Sequence, residues 1–476
     1  MTGFATRYSI YSAEQREKIA DIIKQVRTDK IETVRIGFAD QHGIIRGKSF
    51  TAEQIETLFE SGMTAPSSLL LKDLSHRTVM PVWANETTGL AGMAGIGDII
   101  LMPDPDRFKL LPWLDNTAWI QADIYHKDGS ASPLDTRGIA RRAATAMAGQ
   151  KLAFHAGLEI EAHVYQMVDT PITADQIGPP GAPPEVTLMN KGYALLTEHY
   201  ADVMEPIATI IQTTCRDLDI PLRSLEIEFG PSQIEFTCAA RPGIAAGDDM
   251  VLLRSALRQV LARRGYHISF MCRPAIDGSF ASGWHLHQSV SDLSGANLFT
   301  PASDDTLTPL ARNWLAGLIA HAPAMTLFAV PTITGYKRYK AHSLAPERVS
   351  WNHDGRGALL RVLCNEGNRA SRIENRGGEP AANPYLYLAS QMFAGFDGMR
   401  CQPDLPPASP DAYATDLAKL PATLDDALQI AATDAFVRKS FGEIFIDSYT
   451  AIKRAEIDRF QSQVTDWEQA EYFAAF

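Results

Sequence analysis

The sequence predicts a two-domain α+β protein, and three observations lead to that prediction. The chain has 476 residues, which is more than one ordinary domain contains and enough to bury a large core. Near the N-terminus, an amphipathic helix pattern over residues 12–28 is followed by a strand, a turn at residues 40–43 and a second strand. In the later part of the chain, strands alternate with long helices. We therefore predict a small domain over residues 1–125 and a large domain over residues 126–476.

The elements around the predicted boundary support this division. Residues 97–113 and 117–133 are predicted as strands separated by proline-rich turns, and residues 136–149 as a helix. A proline- and glycine-rich loop at residues 176–185 is predicted to be exposed. From residue 424 onward the chain is predicted to be helical, because apolar residues recur every three or four positions.

The composition excludes several classes of protein. Apolar residues make up 45% and charged residues 21% of the chain, which is typical of a folded globular protein. The formal net charge of −12 opposes binding to nucleic acid and to anionic lipid. No stretch approaches the roughly 18 apolar residues of a membrane-spanning helix, and the N-terminus lacks a secretory signal pattern. We expect a cytoplasmic protein whose partners are small molecules.

Three common kinds of site are not predicted. The five cysteines are widely spaced and form no Cys-X-X-Cys pair, so we expect mostly buried thiols and neither disulfides nor a thiolate zinc site. The chain has no GxxxxGK[ST] phosphate-binding loop. The glycine run at residues 89–98 is not followed by the helix that a dinucleotide-binding loop requires. Any phosphate would therefore have to be bound by metal ions and arginines.

Several short segments carry polar residues two positions apart within apolar runs. On a strand, this spacing turns both side chains to one face. The polar residues are Glu159 and Glu161, Glu226, Glu228 and Glu235, His285 and His287, and Arg372, Glu374 and Arg376. The opposite face is predicted to be buried and to consist of Leu158, Ile160, Ile227, Phe229, Ile234, Phe236 and Leu286. If the strands form a single sheet, carboxylates and imidazoles converge in one hollow.

Such a cluster requires cations. Two like charges about 4 Å apart repel each other by roughly 4 kcal/mol at an effective dielectric near 20. Ligation mainly by oxygen, with an imidazole, suits Mg²⁺ or Mn²⁺, and the lack of thiolates disfavours zinc. We predict two ions, because five or more carboxylates exceed what one partly hydrated Mg²⁺ uses. Taken singly, each pair is more often a solvated sheet face.

Arginines accompany the acids in the last part of this region. A set of guanidinium groups opposite a metal cluster is what transfer of a phosphoryl group requires. The alternative is that these arginines form surface salt bridges. Apolar and glycine-rich surroundings disfavour this alternative for Arg356, Arg361, Arg372 and Arg376. The arginines are Arg338, Arg356, Arg361, Arg372 and Arg376.

In order along nearly the whole chain, these motifs resemble those of the glutamine synthetase family. The segments GFADQHGIIRGK, GDIILMPD, EFGPSQIE, SGWHLHQS, GYKR and RIENRGGEPAANPY carry the similarity. The resemblance implies a small N-terminal β-grasp domain and a large catalytic α/β domain. It also implies stacked rings, commonly a dodecamer, with active sites between subunits.

The resemblance also implies roles for individual residues. It implies that the first metal ion is bound by Glu161, Glu228 and Glu235. It implies that the second is bound by Glu159, His285 and Glu374. Nucleotide contacts correspond to His287, Ser289 and Arg372, and phosphate clamps to Arg356 and Arg361. The residues implied to bind glutamate or its phosphorylated form are Glu161, Arg338 and Arg376. Asp40 resembles an acid that a neighbouring subunit lends to the amine site.

The implied reaction is an ATP-dependent ligation in two steps. The γ-carboxylate of glutamate attacks the γ-phosphate of ATP, and an amine then displaces phosphate from the γ-glutamyl phosphate. Metal ions and arginines would neutralise the charge that develops, with Arg338, Arg356 and Asp40 as the catalytic residues.

The chain departs from the family pattern at two places. The flap after the GYKR motif carries Leu344 where family members that use ammonia have a glutamate, and Phe280 and Ala281 replace an Asn-Gly pair. Apolar side chains cannot compensate a buried ammonium ion. We therefore expect an amine pocket, formed by Phe280 and Leu344, that takes a small apolar alkyl or aryl amine.

Two alternative functions are considered. The chain could be a true glutamine synthetase that uses ammonia, if the alignment of the flap shifts and Glu347 takes the place of the missing acid. It could also be a non-catalytic ring protein, although retention of all six metal ligands disfavours that reading.

Overall fold

The computed structural model describes residues 3–80, 96–168, 172–304 and 306–476. The chain is α+β, as the sequence predicts, and its strands form a five-stranded and a nine-stranded sheet. Most of the glycine run at residues 89–98 lies outside the described residues. In the described part of the chain, no helix has both the length and the apolar character needed to cross a membrane.

The first sheet lies entirely within residues 33–125. Its strand order is β2-β1-β5-β4-β3, and only β1 and β5 are parallel. The helix predicted over residues 12–28 is confirmed as α2 (Ala13–Thr28). Ser12 and Gln15 form a capping box that fixes its start. The elements are α1 (Phe4–Arg7), α2 (Ala13–Thr28), β1 (Thr33–Ala39), β2 (Ile45–Thr51), α3 (Ile55–Ser61), β3 (Met63–Pro66), β4 (Asp98–Leu110) and β5 (Thr117–Tyr125).

The second sheet contains the strands on which the polar pairs were predicted. Its main order is β12-β13-β14-β11-β6-β9-β8, with β7 and β10 paired to β6. The elements in this part are α4 (Thr136–Ala148), β6 (Leu152–Met167), β7 (Val186–Leu188), α5 (Glu198–Val203), α6 (Glu205–Asp217), β8 (Leu222–Ile227), β9 (Gln233–Pro242), α7 (Ala245–Ala262), β10 (Tyr266–Ser269), β11 (Trp284–Asp292), α8 (Pro309–Ala329), β12 (Trp351–His353), β13 (Leu360–Leu363), β14 (Arg372–Gly378), α9 (Pro384–Cys401), α10 (Leu424–Thr433), α11 (Ala435–Phe441), α12 (Glu443–Gln461) and α13 (Asp466–Tyr472).

One face of the second sheet is covered by helices. Helices α4 and α7 contact β6, α8 contacts β14, and α9 packs against α4, α7 and α8. Six of the seven apolar residues predicted to face this core are buried: Leu158, Ile160, Ile227, Ile234, Phe236 and Leu286. The polar side chains that alternate with them on the strands therefore lie on the opposite face.

The prediction for Phe229 is wrong, because its side chain is 37% exposed. Strand β8 ends at Ile227, and the chain then turns through Gly230 and Pro231. The alternation of a strand no longer applies after its last residue, so the ring of Phe229 leaves the core face.

The turn at residues 40–43 is confirmed, and residues from α7 and from the segment after β14 hold it in place. Gly43 has φ of +71°, which favours glycine. The guanidinium of Arg254, on α7, donates to the carbonyl oxygens of Gly43, Pro380 and Ala382 at 2.7–3.0 Å. The side chain of Asn383 donates to the carbonyl of Asp40 at 2.9 Å. The turn is thus bonded to the segment that follows β14.

The strand expected over residues 117–133 ends at Tyr125, after which the chain turns, and Gln176 of the expected loop ends a short 3-10 helix. The other expectations for local structure agree with the described residues. Residues 177–185 contain no helix or strand and are mostly exposed. The segment from residue 424 forms α10 to α13. Four cysteines are buried, Cys401 is exposed, and all five are free thiols.

Candidate active site

Strand register brings the predicted acids and histidines together on the open face of the second sheet. His285 on β11 lies opposite Glu159 on β6. Glu161 lies opposite Glu235 on β9, which in turn lies opposite Glu226 on β8. Because directly opposite side chains on one face are neighbours, these strands form one polar surface. We call it the floor of the site.

Glu159 occupies the centre of the floor, between two histidines. One carboxylate oxygen lies 2.5 Å from Nδ1 of His285, and the other lies 2.8 Å from Nε2 of His287. Burial, followed by the nearby charge of Arg376, lowers the pKa of His285 to about 4. The ring is therefore neutral near pH 7, the form in which an imidazole can bind a metal ion.

Glu374 is fully buried between two arginines. Nη1 of Arg376 donates to one carboxylate oxygen at 2.5 Å, and Nη1 of Arg361 donates to the other at 3.1 Å. Burial acts to raise the pKa of Glu374, but His285 and Arg376 outweigh it and hold that pKa below its usual value. Glu374 is thus a carboxylate at neutral pH, with its charge compensated.

The pKa values of Glu161 and Glu235 are shifted the other way, above the usual value of a glutamate. Burial, and after it the charge of Glu228, raises the pKa of Glu161 to about 8. Burial, and after it the charges of Glu159 and Glu161, raises the pKa of Glu235 to about 10. These two carboxyls face each other across neighbouring strands without enough positive charge to keep both ionised. A bound divalent cation would supply it.

The donor atoms fit divalent cations in two places. Glu159, Glu235 and His285 offer three ligand atoms within 4.8 Å of one another, and so do Glu159, His287 and Glu374. Both sets consist of carboxylate oxygens and imidazole nitrogens, which suits Mg²⁺ or Mn²⁺. The two sets share Glu159, and binding of two ions at once stays a prediction.

The grouping of these ligands differs from the one that the resemblance implied. His287, expected as a nucleotide contact, belongs to one of the two sets, whereas Glu161 and Glu228 belong to neither. Glu161 instead accepts a hydrogen bond from the side chain of Gln233 at 3.0 Å. Its role and that of Glu228 as metal ligands remain predictions.

All five predicted arginines line one cleft together with the floor acids. The cleft has a volume of about 840 Å³. Nη1 of Arg338 donates to the carbonyl of Arg376 at 3.0 Å, and its Nη2 lies 3.4 Å from Nε2 of His285. Nε of Arg372 donates to Nδ1 of His287 at 3.0 Å. A polyanion above the floor would meet guanidinium groups from several segments.

Gly283 allows Arg338 to approach the floor this closely. A Cβ atom on Gly283 would lie 2.6 Å from Nη2 of Arg338 and 3.0 Å from Nε2 of His285. Any side chain at this position would displace one of the two groups.

Loops above the floor form the walls of the cleft. One loop carries Phe280 and another carries Leu344, and both side chains are partly exposed to the cleft. Glu347, the alternative acid of the flap, is not among the cleft-lining residues and lies 3.3 Å from Nε of Arg348. The expected amine pocket is therefore apolar at Phe280 and Leu344.

Three predicted site residues do not line this cleft. The first is Glu374, which is fully buried beside Arg361 and Arg376. Ser289 continues the face of His285 and His287 along β11, but it lies beyond the cleft-lining residues. Asp40 is 1% exposed and lies in the turn between β1 and β2. The role of Ser289 in binding nucleotide and that of Asp40 in binding the amine remain predictions.

Sequence reasoning missed several residues of the cleft, among them Gln233, Tyr193 and Phe229. Gln233 donates to Glu161 and to the hydroxyl of Ser282, while Tyr193 and Phe229 contribute aromatic rings. Gln233 could have been found, because it lies two positions before Glu235 on the same strand. Tyr193 comes from an irregular segment, and no spacing pattern indicates its position.

Comparison with known proteins identifies relatives that are similar to this chain over nearly its whole length. Residues 133–472 match the family described as glutamine synthetase, catalytic domain. The chain is 36% identical to gamma-glutamylanilide synthase of Acinetobacter sp, covering 99% of this chain and 98% of that protein. It is 30% identical to glutamate–isopropylamine ligase of Pseudomonas sp, covering 97% and 99%. A solved structure entitled "Apo GmaS without ligand" superposes with a TM-score of 0.80 at 25% identity, covering 95% and 99%.

The floor predicts an unusual dependence of stability on pH and metal. The raised pKa values of Glu161 and Glu235 mean that the folded, metal-free protein retains protons that the unfolded chain releases above about pH 4.5. In EDTA, Tm should therefore fall between pH 6 and pH 9. The gain in Tm on adding Mg²⁺ should grow over the same range, because the ion competes with protons.

Two variants make this measurement specific. Glu235→Gln should flatten the fall in Tm in EDTA and reduce the gain from Mg²⁺. Glu53→Gln, at an exposed acid that follows β2, should behave as wild type. A Tm in EDTA that rises with pH, or a Mg²⁺ effect that shrinks with pH, would contradict the assignment of the floor acids.

Replacement of Glu161 by alanine should abolish ATP-dependent phosphate release while leaving the fold intact. The change removes a floor carboxylate that is under repulsion and removes no apolar core packing. Circular dichroism and size-exclusion chromatography would check the fold. Activity close to that of wild type would show that Glu161 is dispensable.

Proposed function

The chain belongs to the glutamine synthetase family, in its γ-glutamyl amide synthetase branch, and we propose that it joins the γ-carboxylate of glutamate to a small apolar alkyl or aryl amine. The observation that carries this proposal is that acids and histidines able to hold a metal ion, the five predicted arginines, and the apolar side chains of Phe280 and Leu344 line one cleft. The floor suits transfer of a phosphoryl group from ATP. The pocket favours an amine with an apolar substituent.

The proposed first step forms γ-glutamyl phosphate. A γ-carboxylate oxygen of glutamate attacks the γ-phosphorus of ATP, the bond to the bridging oxygen breaks, and ADP leaves. Two Mg²⁺ or Mn²⁺ ions, when bound, would neutralise negative charge on the phosphates. Arg356 and Arg361 would bind the transferred phosphoryl group, and Arg372 and Ser289 the nucleotide. Arg338 and Arg376 would orient glutamate.

The proposed second step transfers the glutamyl group to the amine. The amine nitrogen attacks the γ-carbonyl carbon, the bond from that carbon to the phosphate oxygen breaks, and phosphate leaves. One proton is lost from the nitrogen. Closure of the walls would exclude water, which would otherwise hydrolyse the acyl phosphate.

We further propose that the protein assembles as a homo-oligomeric ring, as the family resemblance implies, with a dodecamer as the expected form. Asp40 does not line the cleft of its own chain. In such a ring, its turn would be the part of one protomer that approaches the amine site of the next.

The choice of amine is tested by measuring phosphate release and product mass with ATP, glutamate and a set of amines. Aniline, isopropylamine, ethanolamine and ammonia form a suitable set. We expect the best organic amine to exceed ammonia in kcat/KM by about tenfold or more, equivalent to about 1.4 kcal/mol. The physical reason is that Leu344 and Phe280 cannot pair with an ammonium ion. If ammonia is the best substrate, the protein is a true glutamine synthetase. If no amine is ligated, the proposed activity is wrong.

Leu344→Glu should improve the use of ammonia. A carboxylate at this position would attract an ammonium ion and accept its proton. Leu344→Gln is the matched control, because it has similar size and the same left-handed backbone, with φ of +59°, but no charge. We expect kcat/KM for ammonia to rise several-fold in the glutamate variant only. An equal effect of both variants would place Leu344 away from the amine.

A further inference from the structure

Three aromatic rings form a cluster on the wall of the cleft. Phe280 stacks on Phe229, with ring centroids 5.7 Å apart and an interplanar angle of 23°. Phe280 also meets Tyr193 edge-on, at 5.6 Å and 84°. The backbone N–H of Tyr193 donates to the carbonyl of Phe229 at 2.6 Å, which joins their two segments. We call these three residues the aromatic cluster.

The aromatic cluster is exposed although it is apolar. Phe229 is 37% exposed, Phe280 39% and Tyr193 74%, and all three line the cleft. Rings that meet both face to face and edge to face offer a further ring the same kinds of contact. An exposed apolar patch of this kind inside a cleft marks a binding surface.

The walls around the aromatic cluster carry positive charge. Arg273 lines the cleft from the segment of Phe280, and Lys337, Arg338 and Lys340 line it from the segment of Leu344. Within the described residues, neither of these two segments places a carboxylate on the cleft surface. A protonated amine would therefore approach the pocket against like charges, whereas a neutral amine would not.

Carboxylates elsewhere near the pocket are already engaged. Glu228 accepts a hydrogen bond from the N–H of Phe229 at 3.2 Å, and Glu226 accepts one from the hydroxyl of Ser224 at 3.0 Å. The other floor acids, Glu159, Glu161 and Glu235, belong to the cluster with His285. None of these acids lies on the segments of Phe280 and Leu344; Glu228 precedes Phe229 of the aromatic cluster and lines the same cleft.

Asp40, the acid expected from a neighbouring protomer, is also engaged. One of its carboxylate oxygens accepts from the backbone N–H groups of His42 and Ile44 at 2.9 and 3.0 Å. The other accepts from Nε of Arg46 at 2.7 Å. These bonds hold the turn between β1 and β2 in shape. A carboxylate used in this way is poorly placed to accept a proton from a substrate.

We propose that the amine acceptor is an aromatic amine, whose ring packs against the aromatic cluster and whose nitrogen enters the cleft uncharged. This inference rests on the proposed function and narrows it to one class of amine. An alkylamine titrates near the lysine value of about 10, so at pH 7 only about one molecule in a thousand is neutral. The lone pair of an arylamine is delocalised into the ring, so the neutral form dominates without any base on the protein.

The bonds and protons balance without a protein base. The neutral nitrogen forms its bond to the γ-carbonyl carbon, and the bond from that carbon to the phosphate oxygen breaks. The departing phosphate takes the bonding electrons and can accept the proton that the acylated nitrogen releases. Water exclusion and orientation are then the contributions required of the walls.

The test compares aniline with isopropylamine on the intact enzyme, with Mg²⁺, ATP and glutamate at saturation. The quantity to follow is the ratio of their kcat/KM values between pH 7 and pH 9. Titrations of the protein that affect both substrates equally cancel in this ratio. We expect aniline to be preferred at pH 7 and the ratio to fall about tenfold per pH unit, because only isopropylamine gains neutral form.

A ring-truncation variant tests the aromatic cluster itself. Phe280→Ala should raise KM for aniline about tenfold, as expected for loss of an aromatic contact and the apolar burial that accompanies it. KM for isopropylamine should change less than threefold. Phe280→Tyr should retain the use of aniline. Phe460→Ala, at an exposed aromatic residue of α12 outside the cleft, is the control.

The possible outcomes are distinguishable. If isopropylamine is preferred at pH 7, or if the ratio does not change with pH, the inference of an uncharged aromatic acceptor is overturned while the ligase activity stands. An equal loss of both substrates in Phe280→Ala would also overturn it. If neither organic amine is ligated, the proposed function itself fails.

Discussion

The structure depends on how repulsion among buried carboxylates is managed on one face of a sheet. Glu159, Glu161 and Glu235 are brought together by strand register, and the apolar residues between them form the opposite, core-facing surface. A shift of one residue in β6 would turn both of its glutamates into the core. The packing of the helices against the sheet therefore also fixes the position of the charged cluster. The same strand register therefore determines both the packing of the core and the position of the charged cluster.

Much of this arrangement could be predicted, because side chains along a strand alternate between its two faces with a period of two residues. Glu159, His285 and Glu374 lie within strands, where alternation fixes the face of every side chain. Phe229 shows the limit of this reasoning, because it lies beyond the end of β8 and the period no longer holds there. Tyr193 could not be predicted, because its position depends on a backbone contact with a distant segment. The assignment of ligands to each of two metal ions stays a prediction from the resemblance, because strand alternation fixes the face of a side chain but not distances of a few ångströms.

Floor and walls contribute differently to function. The floor is built from paired strands, whose hydrogen bonds keep Glu159 and the two histidines in fixed relative positions. The walls are loops, and residues such as Phe280 and Leu344 can change there without disturbing the register of the sheet. Such a design allows one phosphoryl-transfer apparatus to serve different amines. The departures of this chain from the family pattern lie in the walls, as this division leads one to expect.

The contacts of Arg254 have a consequence for the way the protein loses its structure. One guanidinium satisfies carbonyl groups from the β1–β2 turn and from the segment after β14, two regions more than 300 residues apart in sequence. If the N-terminal sheet separated, Arg254 on α7 would lose the carbonyl of Gly43, and Asn383, in the segment after β14, would lose the carbonyl of Asp40. Partial melting at one end of the molecule is therefore transmitted to the other. A cooperative transition follows, in which the amino-terminal region supports the segment that continues from β14.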